Sequence, residues 1–386
     1  MSLDFYDFYN GKRVLITGHT GFKGSWLSTI LVNLGAEVIG FSSCAKTETR
    51  LFDLCGIQSQ ITHIKGNVQS LPSLLGAFQL YQPEIVFHLA AQPIVRISYE
   101  NPVETYMTNV IGTVNLLEAV RQTNSVKSVL NVTTDKVYEN KEWCWGYREN
   151  EPLDGYDPYS NSKSCSELVT HSYIRSFLGH HSSIQNCDKH SDVNNGNDVI
   201  NVNNGSVAVS TARAGNVIGG GDFAKDRIIP DCVRAAINHE DIIVRNPYSI
   251  RPYQHVLEPL FAYLLIAQKQ YEEPEKYRGY YNVGPDEKDC VITSSLVDLF
   301  CKEWGEGLKW VNKAETSAPH ESNFLKLDCS KMKHVFGWQP HWNIKTAVEK
   351  TVEWTKCWTS GGDIRKCMNQ QITDFADIAD FLGRLA

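Results

Sequence analysis

Residues 12–42 read KRVLITGHTGFKGSWLSTILVNLGAEVIGFS, and this stretch decides the fold. Val14–Thr17 is typical of a short buried strand; a glycine-rich turn, an apolar stretch of helical periodicity and a second apolar strand follow it. Glycines in such a βαβ unit let the backbone approach a pyrophosphate, whose charge is favoured at the helix N-terminus. The three glycines of the turn are Gly18, Gly21 and Gly24.

Two other interpretations of this turn exist. GFKGS resembles a P-loop, but that loop requires Gly-Lys-Ser/Thr in order, and here Gly24 separates Lys23 from Ser25. The second alternative interpretation is a tight turn that binds no ligand. The next strand ends at Ser42, with neither an acidic residue for a ribose 2′-hydroxyl nor an adjacent arginine for a 2′-phosphate. NAD is nevertheless the favoured cofactor, with NADP as the alternative.

Further strands and helices alternate downstream, as in PEIVFHLAAQ and KSVLNVTT with a helical stretch between them. This order predicts an α/β fold: a doubly wound parallel Rossmann sheet with a smaller, sequence-interleaved α/β substrate lobe. The segments QHV and YYNVG are expected to return to the first sheet. The predicted boundaries are 1–182, 205–217 and 254–284 for the dinucleotide-binding domain, 183–204 for an Asn-rich surface insertion, and 218–253 and 285–386 for the second lobe.

Composition restricts the partners and the compartment. The net charge of −7 over 386 residues argues against nucleic acid or an anionic membrane as a partner. No apolar stretch is long enough to span a bilayer. The eleven cysteines are scattered without a CxxC pair, and no signal peptide is evident, which favours reduced thiols in a cytoplasmic protein.

The candidate chemistry lies where the strand KSVLNVTT ends, because ligands of doubly wound sheets bind beyond the carboxyl ends of the strands. Thr134, Asp135 and Lys136 follow this strand, and Tyr159 and Lys163 share one face of a later helix. A lysine ammonium and a bound nicotinamide cation are expected to lower the pKa of the tyrosine, so that its phenolate is a base. Thr134 can donate a hydrogen bond to the same substrate oxygen.

Several motifs together resemble a known family: TGHTGFKGSWL, HLAAQP, TTDKVYENKEWCWGYRENEPLDGYDPYSNSK, RAGNVIGGGD, RPYQHVLEPL and LKLDCSKMKHVFGWQP. They extend from Lys12 to about Trp342 and resemble the extended short-chain dehydrogenase/reductases. Within that superfamily, the Asp-Lys pair followed by ENKEWCWGYRENEP is similar to the CDP-glucose branch of the nucleotide-sugar 4,6-dehydratases.

The resemblance implies a lyase that converts CDP-D-glucose to CDP-4-dehydro-6-deoxy-D-glucose by C4 oxidation, elimination of water across C5 and C6, and hydride return to C6. Asp135 is then the acid. Related dehydratases have Asp-Glu here, so Lys136 replaces glutamate as the base. The alternative is that Lys136 is a counter-ion of Asp135, with Tyr159 or water handling the proton.

The resemblance also assigns binding residues, with the second lobe binding the nucleotide sugar. Asn67 occupies a cofactor-binding position at which related proteins usually have aspartate. Arginines suit a diphosphate because the guanidinium binds oxygens bidentately. The expected cofactor residues are Gly18, His19, Gly21, Phe22, Lys23, Gly24, Ser42, Asn67, Val68, Leu89, Ala90, Ala91, Asn109, Tyr159 and Lys163, and the expected substrate residues are Gln92, Asn216, Arg227, Arg251 and Glu321.

Other functions stay open at this point: a nucleotide-sugar 4-epimerase, a 4,6-dehydratase of another NDP-hexose, or a non-catalytic nicotinamide sensor. By analogy, helices at 103–121 and 159–177 are expected to form a homodimer or homotetramer, and the pathway to be deoxysugar biosynthesis for a surface polysaccharide such as lipopolysaccharide O-antigen. In the insertion, His180, His181, Cys187 and His190 match no strong metal-ligand spacing, so no metal is expected.

Overall fold

The computed structural model describes residues 5–43, 49–179, 207–313 and 324–383. Its helices alternate with strands through the first half of the chain, as the sequence predicts. The strands are β1 Arg13–Thr17, β2 Glu37–Ser42, β3 Thr62–Lys65, β4 Ile85–His88, β5 Ser128–Val132, β6 Ala208–Ala214, β7 Val217–Ile218, β8 Ile242–Val244, β9 Ile250–Pro252, β10 Gln254–His255, β11 Tyr280–Val283, β12 Cys290–Ile292 and β13 Trp310–Asn312.

The helices cover both faces of the large sheet and build the second lobe. The α-helices are Phe5–Tyr9, Phe22–Asn33, Leu51–Leu54, Leu71–Tyr81, Val95–Glu100, Pro102–Tyr106, Gly112–Arg121, Pro158–Tyr173, Ile228–Ile237, Leu257–Glu272, Pro274–Tyr277, Thr293–Trp304, Ser330–Phe336, Ile344–Thr359 and Ile364–Gly383. The shorter helical turns are Ile57–Gln60, Met107–Ile111, Asp135–Val137, Ile174–Leu178 and Glu287–Asp289.

Seven strands form one parallel sheet in the order β11-β6-β5-β4-β1-β2-β3. Every residue of β4, β5 and β6 is buried. The strands are buried on both faces because helices cover both faces of a parallel sheet. The order reverses between β1 and β4, as in doubly wound folds, so the predicted fold class is confirmed. The carboxyl ends of β1, β4 and β5 therefore meet along one edge, where the predicted site residues follow.

Apolar cores lie on each face of this sheet and in the second lobe. One core contains Leu27 and Leu260, and the opposite core contains Phe78 and Leu117. The core of the second lobe is built around Val297 and related side chains from Ile228–Ile237, Thr293–Trp304 and Ile344–Thr359. In the described part of the chain, no helix is long and apolar enough to cross a membrane.

Two details differ from the sequence prediction. YYNVG does join the large sheet as β11, but the QHV segment forms β10, which pairs with β7 in a separate two-stranded ladder. The range 285–386 is also divided between the lobes. Phe336 packs on Tyr281, and Phe375 packs on Phe261, so the helices Ser330–Phe336 and Ile364–Gly383 cover the first lobe.

The helix predicted from Val103 onward is not a single regular α-helix. Its first part, Pro102–Tyr106, passes through a π-helical turn at Met107–Ile111 before Gly112–Arg121 continues. Such turns widen the helix locally and are frequent at functional sites. The predicted insertion at 183–204, with its four candidate metal ligands, lies outside the described residues, and so does Glu321.

Candidate functional site

The glycine-rich turn leaves no room for a side chain at Gly18 or Gly24. Gly18 adopts φ +76°, and a Cβ there would lie 2.8 Å from the backbone nitrogen of Ala90. A Cβ on Gly24 would lie 2.3 Å from the carbonyl oxygen of Gly18. Among the described residues no side chain caps the helix Phe22–Asn33, and its first turn carries no acidic residue. Its first N–H groups therefore suit an anionic acceptor such as a pyrophosphate.

Several predicted cofactor residues make contacts within the protein. His19 is fully buried, its ring fills the space beside Gly40, and its Nε2 lies 2.6 Å from Nδ1 of His63. Burial lowers the pKa of His19 to about 3, so the ring is neutral. The Ser42 hydroxyl lies 2.8 Å from that of Thr20. The side chain of His19 is thus committed to packing, a role that the sequence prediction did not assign to it.

Two more predicted binding side chains join β4 to the helices that follow. Asn109 Oδ1 accepts from the backbone N–H of Gln92 at 2.8 Å, and Asn109 Nδ2 donates to Ser162 Oγ at 2.8 Å. The Gln92 side chain donates to Thr105 Oγ1 at 3.0 Å and accepts from the backbone N–H of Ile94 at 2.7 Å. These bonds fix the backbone of the HLAAQ segment, so a polar contact of either side chain with a ligand would compete with them.

The remaining small and apolar candidates lie around the same turn. Leu89, Ala90 and Ala91 are half-buried at the end of β4, where the Ala90 N–H faces Thr17 Oγ1 at 3.3 Å. Asn67 Oδ1 accepts from the backbone N–H of Gln69 at 3.0 Å. A Cβ on Gly112 would press on the side chain of Val68, and Phe22 lies beside Gly219.

The segment after β5 holds a buried carboxylate with one free oxygen. Asp135 is 1 % exposed, and its Oδ1 accepts from Thr134 Oγ1 at 3.0 Å. Its Oδ2 has no hydrogen-bond partner among the described residues. Burial raises the pKa of Asp135, against the opposing effects of Lys136, Thr134, Arg251 and Lys23. A raised pKa favours the protonated form that a general acid requires.

Lys136 follows directly and is half-buried. Its backbone N–H donates to Thr134 Oγ1 at 3.4 Å, in the short helical turn that Thr134 caps. Its charge is the largest of the effects that lower the pKa of Asp135. Both the base and the counter-ion hypotheses place Lys136 beside Asp135, so its role stays a prediction.

Tyr159 and Lys163 lie on the helix Pro158–Tyr173, which Asp157 caps by accepting from the backbone N–H of Ser160 at 3.0 Å. Lys163 Nζ donates to the carbonyl of Val132 at 3.1 Å, which anchors this helix to the end of β5. Burial lowers the pKa of Lys163 to about 8. Lys163 is thereby held against β5, the strand that precedes Thr134.

The pKa of Tyr159 differs from the lowering that the sequence predicts. Burial raises it to about 12, although a hydrogen bond with Thr134 and the charge of Arg227 act to lower it. Lys163 is not among its main electrostatic influences. The predicted lowering of the pKa included the positive charge of a bound nicotinamide. Without that charge, the groups of the protein do not offset the desolvation of the phenolate.

Residues from three parts of the chain converge on this corner. Lys23 of the glycine-rich turn is close enough to Arg227, Lys163 and Asp135 for each to affect its pKa, which burial and the two cations lower to about 7. Arg227 donates to Asp222 Oδ2 at 2.9 Å. Arg251 is buried and acts on the pKa of Asp135, so both predicted substrate arginines of the described chain lie near the predicted catalytic groups.

Sequence reasoning missed a buried ion pair directly behind the site. Glu167 and Arg213 are both 0 % exposed, and Arg213 Nη2 donates to Glu167 Oε2 at 2.9 Å. Thr133 Oγ1 donates to Glu167 Oε1 at 2.5 Å, and Tyr138 accepts from Arg213 Nη1 at 2.9 Å. Two signals pointed to it: Glu167 lies four residues after Lys163, and a charge inside the buried strand AVSTARA requires a partner.

The loop at residues 139–152, ENKEWCWGYRENEP, follows the site and is held by aromatic stacking. This loop is the most specific part of the resemblance. Tyr147 stacks on Tyr138 with ring centroids 5.2 Å apart, and Trp143 stacks on Tyr147 at 5.4 Å. Asn140 Nδ2 donates to the carbonyl of Phe324 at 3.1 Å. Since Phe324 also bridges to Ile250, next to Arg251, this loop adjoins the second lobe beside Lys136.

A cavity of about 640 Å³ opens at a different place, beside the outer edge strand β11. Basic and acidic side chains alternate around it, and Arg213 is the one lining residue that belongs to the buried ion pair with Glu167. The predicted catalytic residues do not line it. Its lining is Arg148, Glu149, Asn150, Glu151, Leu153, His171, Arg175, Arg213, Tyr280, Asp328, Ser330 and Lys331.

Comparisons with known proteins agree with this architecture. A family model described as GDP-mannose 4,6 dehydratase matches residues 15–226. A CDP-glucose 4,6-dehydratase of Salmonella typhimurium is 46% identical over 369 residues, which cover 96% of this chain and 97% of that protein. A CDP-paratose 2-epimerase of Salmonella typhi is 26% identical, with 89% and 99% covered.

Solved structures share the fold at lower identity. A UDP-glucose 4-epimerase of Thermotoga maritima in complex with UDP-glucose has a TM-score of 0.74 and 21% identity, covering 90% of this chain and 99% of that one. A dTDP-glucose 4,6-dehydratase of Bacillus anthracis in complex with NAD has a TM-score of 0.71 and 21% identity, with 91% and 99% covered.

Proposed function

The chain belongs to the GDP-mannose 4,6-dehydratase family, and we propose that within this family it is a lyase acting on CDP-D-glucose. It produces CDP-4-dehydro-6-deoxy-D-glucose by oxidation at C4, elimination of water across C5 and C6, and reduction at C6. The cytidine nucleotide is supported by the 46% identity to a CDP-glucose 4,6-dehydratase along almost the whole chain. The product is a precursor of deoxysugars for a surface polysaccharide such as lipopolysaccharide O-antigen.

NAD is the proposed cofactor, and the glycine-rich turn fits it. The turn excludes side chains at Gly18 and Gly24, and the helix behind it offers free N–H groups to a pyrophosphate. Lys163 and Asn109 are the proposed neighbours of the nicotinamide half. When bound, the nicotinamide supplies reversible hydride transfer, which oxidises the sugar at C4 and reduces it at C6.

The oxidation requires a base at the C4 hydroxyl, and Tyr159 has that role in our proposal. The Thr134 hydroxyl, which donates to Asp135 Oδ1 in the structure, donates instead to the same oxygen when the substrate binds. A hydrogen bond with Thr134 also acts to lower the pKa of Tyr159. The positive charge of Arg227 acts on Tyr159 in the same direction. The desolvation that raises the pKa of Tyr159 to about 12 is then offset only when further positive charge is present.

The elimination requires an acid for the leaving C6 hydroxyl and a base for the C5 proton, which the C4 ketone acidifies. Asp135 is the acid, because burial keeps its carboxyl protonated more readily than in water. Its free Oδ2 is the atom that can donate this proton. Lys136 takes the C5 proton, and the C6 oxygen departs with the proton of Asp135 as water. When the hydride returns to C6, Lys136, whose proton has exchanged with solvent, returns a proton to C5.

One observation carries this function: a buried carboxyl, whose second oxygen has no hydrogen-bond partner among the described residues, lies between Thr134 and Lys136 at the carboxyl end of β5. A 4-epimerase on the same scaffold needs Tyr159 and Thr134 but has no step that uses this acid. The Asp135–Lys136 pair therefore favours elimination.

The first test is mass spectrometry of the purified protein incubated with CDP-glucose in D2O, with UDP-, dTDP- and GDP-glucose in parallel. Loss of one water, with deuterium delivered to C5, is expected from CDP-glucose and not from the others. A C4 epimer without water loss would instead support the epimerase, and equal turnover of the four sugars would contradict the cytidine preference.

The role of Lys136 is tested separately by Lys136→Met, which keeps the length of the side chain and removes the amine. As the base, Lys136 contributes about 10²–10⁴-fold to the elimination step. The expected result is loss of water release with C4 oxidation retained. Unchanged turnover would assign Lys136 to holding Asp135 as a counter-ion.

We propose that the protein self-associates through the helices Pro102–Tyr106 and Pro158–Tyr173 and the π-helical turns that continue them. Large apolar side chains are exposed there, including Val103 at 75 % and Leu168 at 53 %, together with Met107, Ile111 and Phe177. Tyr99, on the preceding helix Val95–Glu100, is exposed as well. Contiguous apolar patches on a protein surface are typical of an interface. A second copy of this chain is the proposed occupant, giving a homodimer or, through a further contact, a homotetramer.

Sedimentation of Leu168→Asp tests this interface. The matched control is Leu80→Asp, because Leu80 is 72 % exposed on another helix, Leu71–Tyr81. Leu168→Asp should sediment as a smaller species while Leu80→Asp matches the wild type. Identical sedimentation of all three would exclude this face. We also propose a cytoplasmic location, which the free thiols of the described cysteines support.

A further inference from the structure

We infer that the Glu167–Arg213 ion pair is a positioning unit for the elimination step, because it holds the segment that carries Thr134, Asp135 and Lys136 at both of its ends. This inference rests on the proposed dehydratase function. Neither Glu167 nor Arg213 is expected to touch the substrate, since both side chains are fully buried. They act through Thr133 at one end of the segment and Tyr138 at the other.

The first end is fixed by the carboxylate. Thr133 Oγ1 donates to Glu167 Oε1 at 2.5 Å, immediately before Thr134 in the chain. The Thr133 backbone N–H also donates to the carbonyl of Ala212 on β6 at 2.9 Å. The same carboxylate accepts from Arg213 Nε at 3.0 Å and from Thr211 Oγ1 at 2.7 Å. Thr133 is therefore bound to a group that β6 itself holds in place.

The second end is fixed by the guanidinium. Arg213 Nη1 donates to Tyr138 Oη at 2.9 Å and to the carbonyl of Glu149 at 3.0 Å. Tyr138 Oη in turn donates to Asn282 Oδ1 at 2.6 Å, on the edge strand β11. The guanidinium also lies over the Tyr138 ring, 5.0 Å from its centroid. Tyr138 is thus held by two strands of the sheet, only two residues after Lys136.

The geometry explains why both charged groups are needed. Arginine offers five N–H donors in a rigid plane, and here they reach Glu167 and Tyr138 at once. A lysine has one nitrogen and cannot span both. The segment between the two anchors is a single short turn, Asp135–Val137, so fixing Thr133 and Tyr138 leaves its side chains little freedom. Small misplacements of such groups reduce rates strongly.

The test compares two identical changes on opposite sides of the same carboxylate. Thr133→Val and Thr211→Val each remove one hydroxyl that donates to Glu167, but only Thr133 adjoins the reacting segment. Thr133→Val is expected to lower kcat by about 10- to 100-fold with an unchanged KM. Thr211→Val is expected to stay within about twofold of the wild type. Thr133→Ser, which keeps the hydroxyl, should restore kcat.

The decisive readout is the kinetic isotope effect with CDP-glucose deuterated at C5. A misplaced base makes removal of the C5 proton slower, so the isotope effect on kcat should increase in Thr133→Val and not in Thr211→Val. A merely structural loss reduces the amount of active enzyme and leaves the isotope effect unchanged. Thermal unfolding of each variant, followed by circular dichroism, is expected to show that the two changes lower stability alike.

The outcomes separate the two proposals. Equal losses of kcat in Thr133→Val and Thr211→Val, or a lower kcat without a change in isotope effect, would overturn the positioning role. If Thr133→Val does not fold, Tyr138→Phe loosens the other end and should raise the isotope effect in the same direction; no change there would also overturn it. A wild-type enzyme that releases no water from CDP-glucose would instead refute the proposed function, and the positioning role with it.

Discussion

Two buried carboxyl groups lie on either side of the end of β5, and their surroundings differ. Glu167 receives four hydrogen bonds, from Thr133, Thr211 and two nitrogens of Arg213. Asp135 receives one, from Thr134, and its second oxygen has no partner in the described chain. Both groups are almost completely removed from solvent.

Their pKa values move in opposite directions for this reason. Burial alone would raise the pKa of Glu167, but the charge and hydrogen bonds of Arg213, together with the nearby His171 ring and the hydroxyl of Thr133, lower it to about 2. For Asp135 burial dominates, and its pKa is raised. Burial therefore does not decide whether an acid is structural or reactive. The charge of a paired cation and the hydrogen-bond donors that the fold supplies to its oxygens do.

The largest expected effect is on activity, in Asp135→Asn. The amide cannot donate the proton of a carboxylic acid, so kcat for water release should fall by about 10²–10⁴-fold. Stability should change by less than about 1 kcal/mol, because a poorly satisfied buried acid contributes little to the folded state. Steady-state kinetics and urea denaturation measure both quantities. A large loss of stability would show that Asp135, like Glu167, stabilises the folded state.

The second prediction is the reverse case, Glu167→Gln. Removing one charge of a fully buried pair leaves Arg213 uncompensated, which costs about 3–5 kcal/mol of unfolding free energy. Urea denaturation of this variant beside Asp135→Asn gives the contrast directly. A loss below about 1 kcal/mol would mean that the other acceptors of Arg213, Tyr138 and the Glu149 carbonyl, satisfy it without the carboxylate.

The smallest effect is in the pH dependence of stability. The pKa of Glu167 is depressed in the folded state, so its contribution is complete above the ordinary glutamate value of 4.5 and is lost as the pH falls from there towards about 2. The wild type should lose stability across this window more steeply than Glu167→Gln. Asp135 acts in the opposite sense, since its raised pKa favours the folded state at low pH. Parallel slopes in the two proteins would show that Glu167 does not titrate in this window.

The sequence predicted the elements whose signal is local. The βαβ unit, the parallel sheet and the positions of Thr134 and Asp135 at a strand end all follow from periodicity and turn residues between Lys12 and Lys136. Tyr159 and Lys163 likewise lie on one helix, Pro158–Tyr173, as their spacing predicts. Each of these depends on residues that are neighbours along the chain.

What the sequence did not predict depends on contacts between distant segments. Glu167 and Arg213 are 46 residues apart, and Asn282, which accepts from their neighbour Tyr138, is 69 residues beyond Arg213. The packing of His19 on Gly40 and the pairing of β10 with β7 also require the three-dimensional arrangement. The desolvation that raises the pKa of Tyr159 in the absence of a bound nicotinamide could not be judged either, because it depends on neighbours that are distant in sequence.

The position of β11 at the sheet edge has a consequence for synthesis on the ribosome. Strand β6 has seven buried residues, and its outer neighbour β11 begins only some 65 residues later in the chain. At about 5–20 residues per second, roughly 3–13 s pass before that neighbour has been translated. Until then β6 is an uncovered edge strand, and unpaired edges of this kind promote aggregation. The nascent chain is therefore most dependent on chaperones while residues 215–279 are being made.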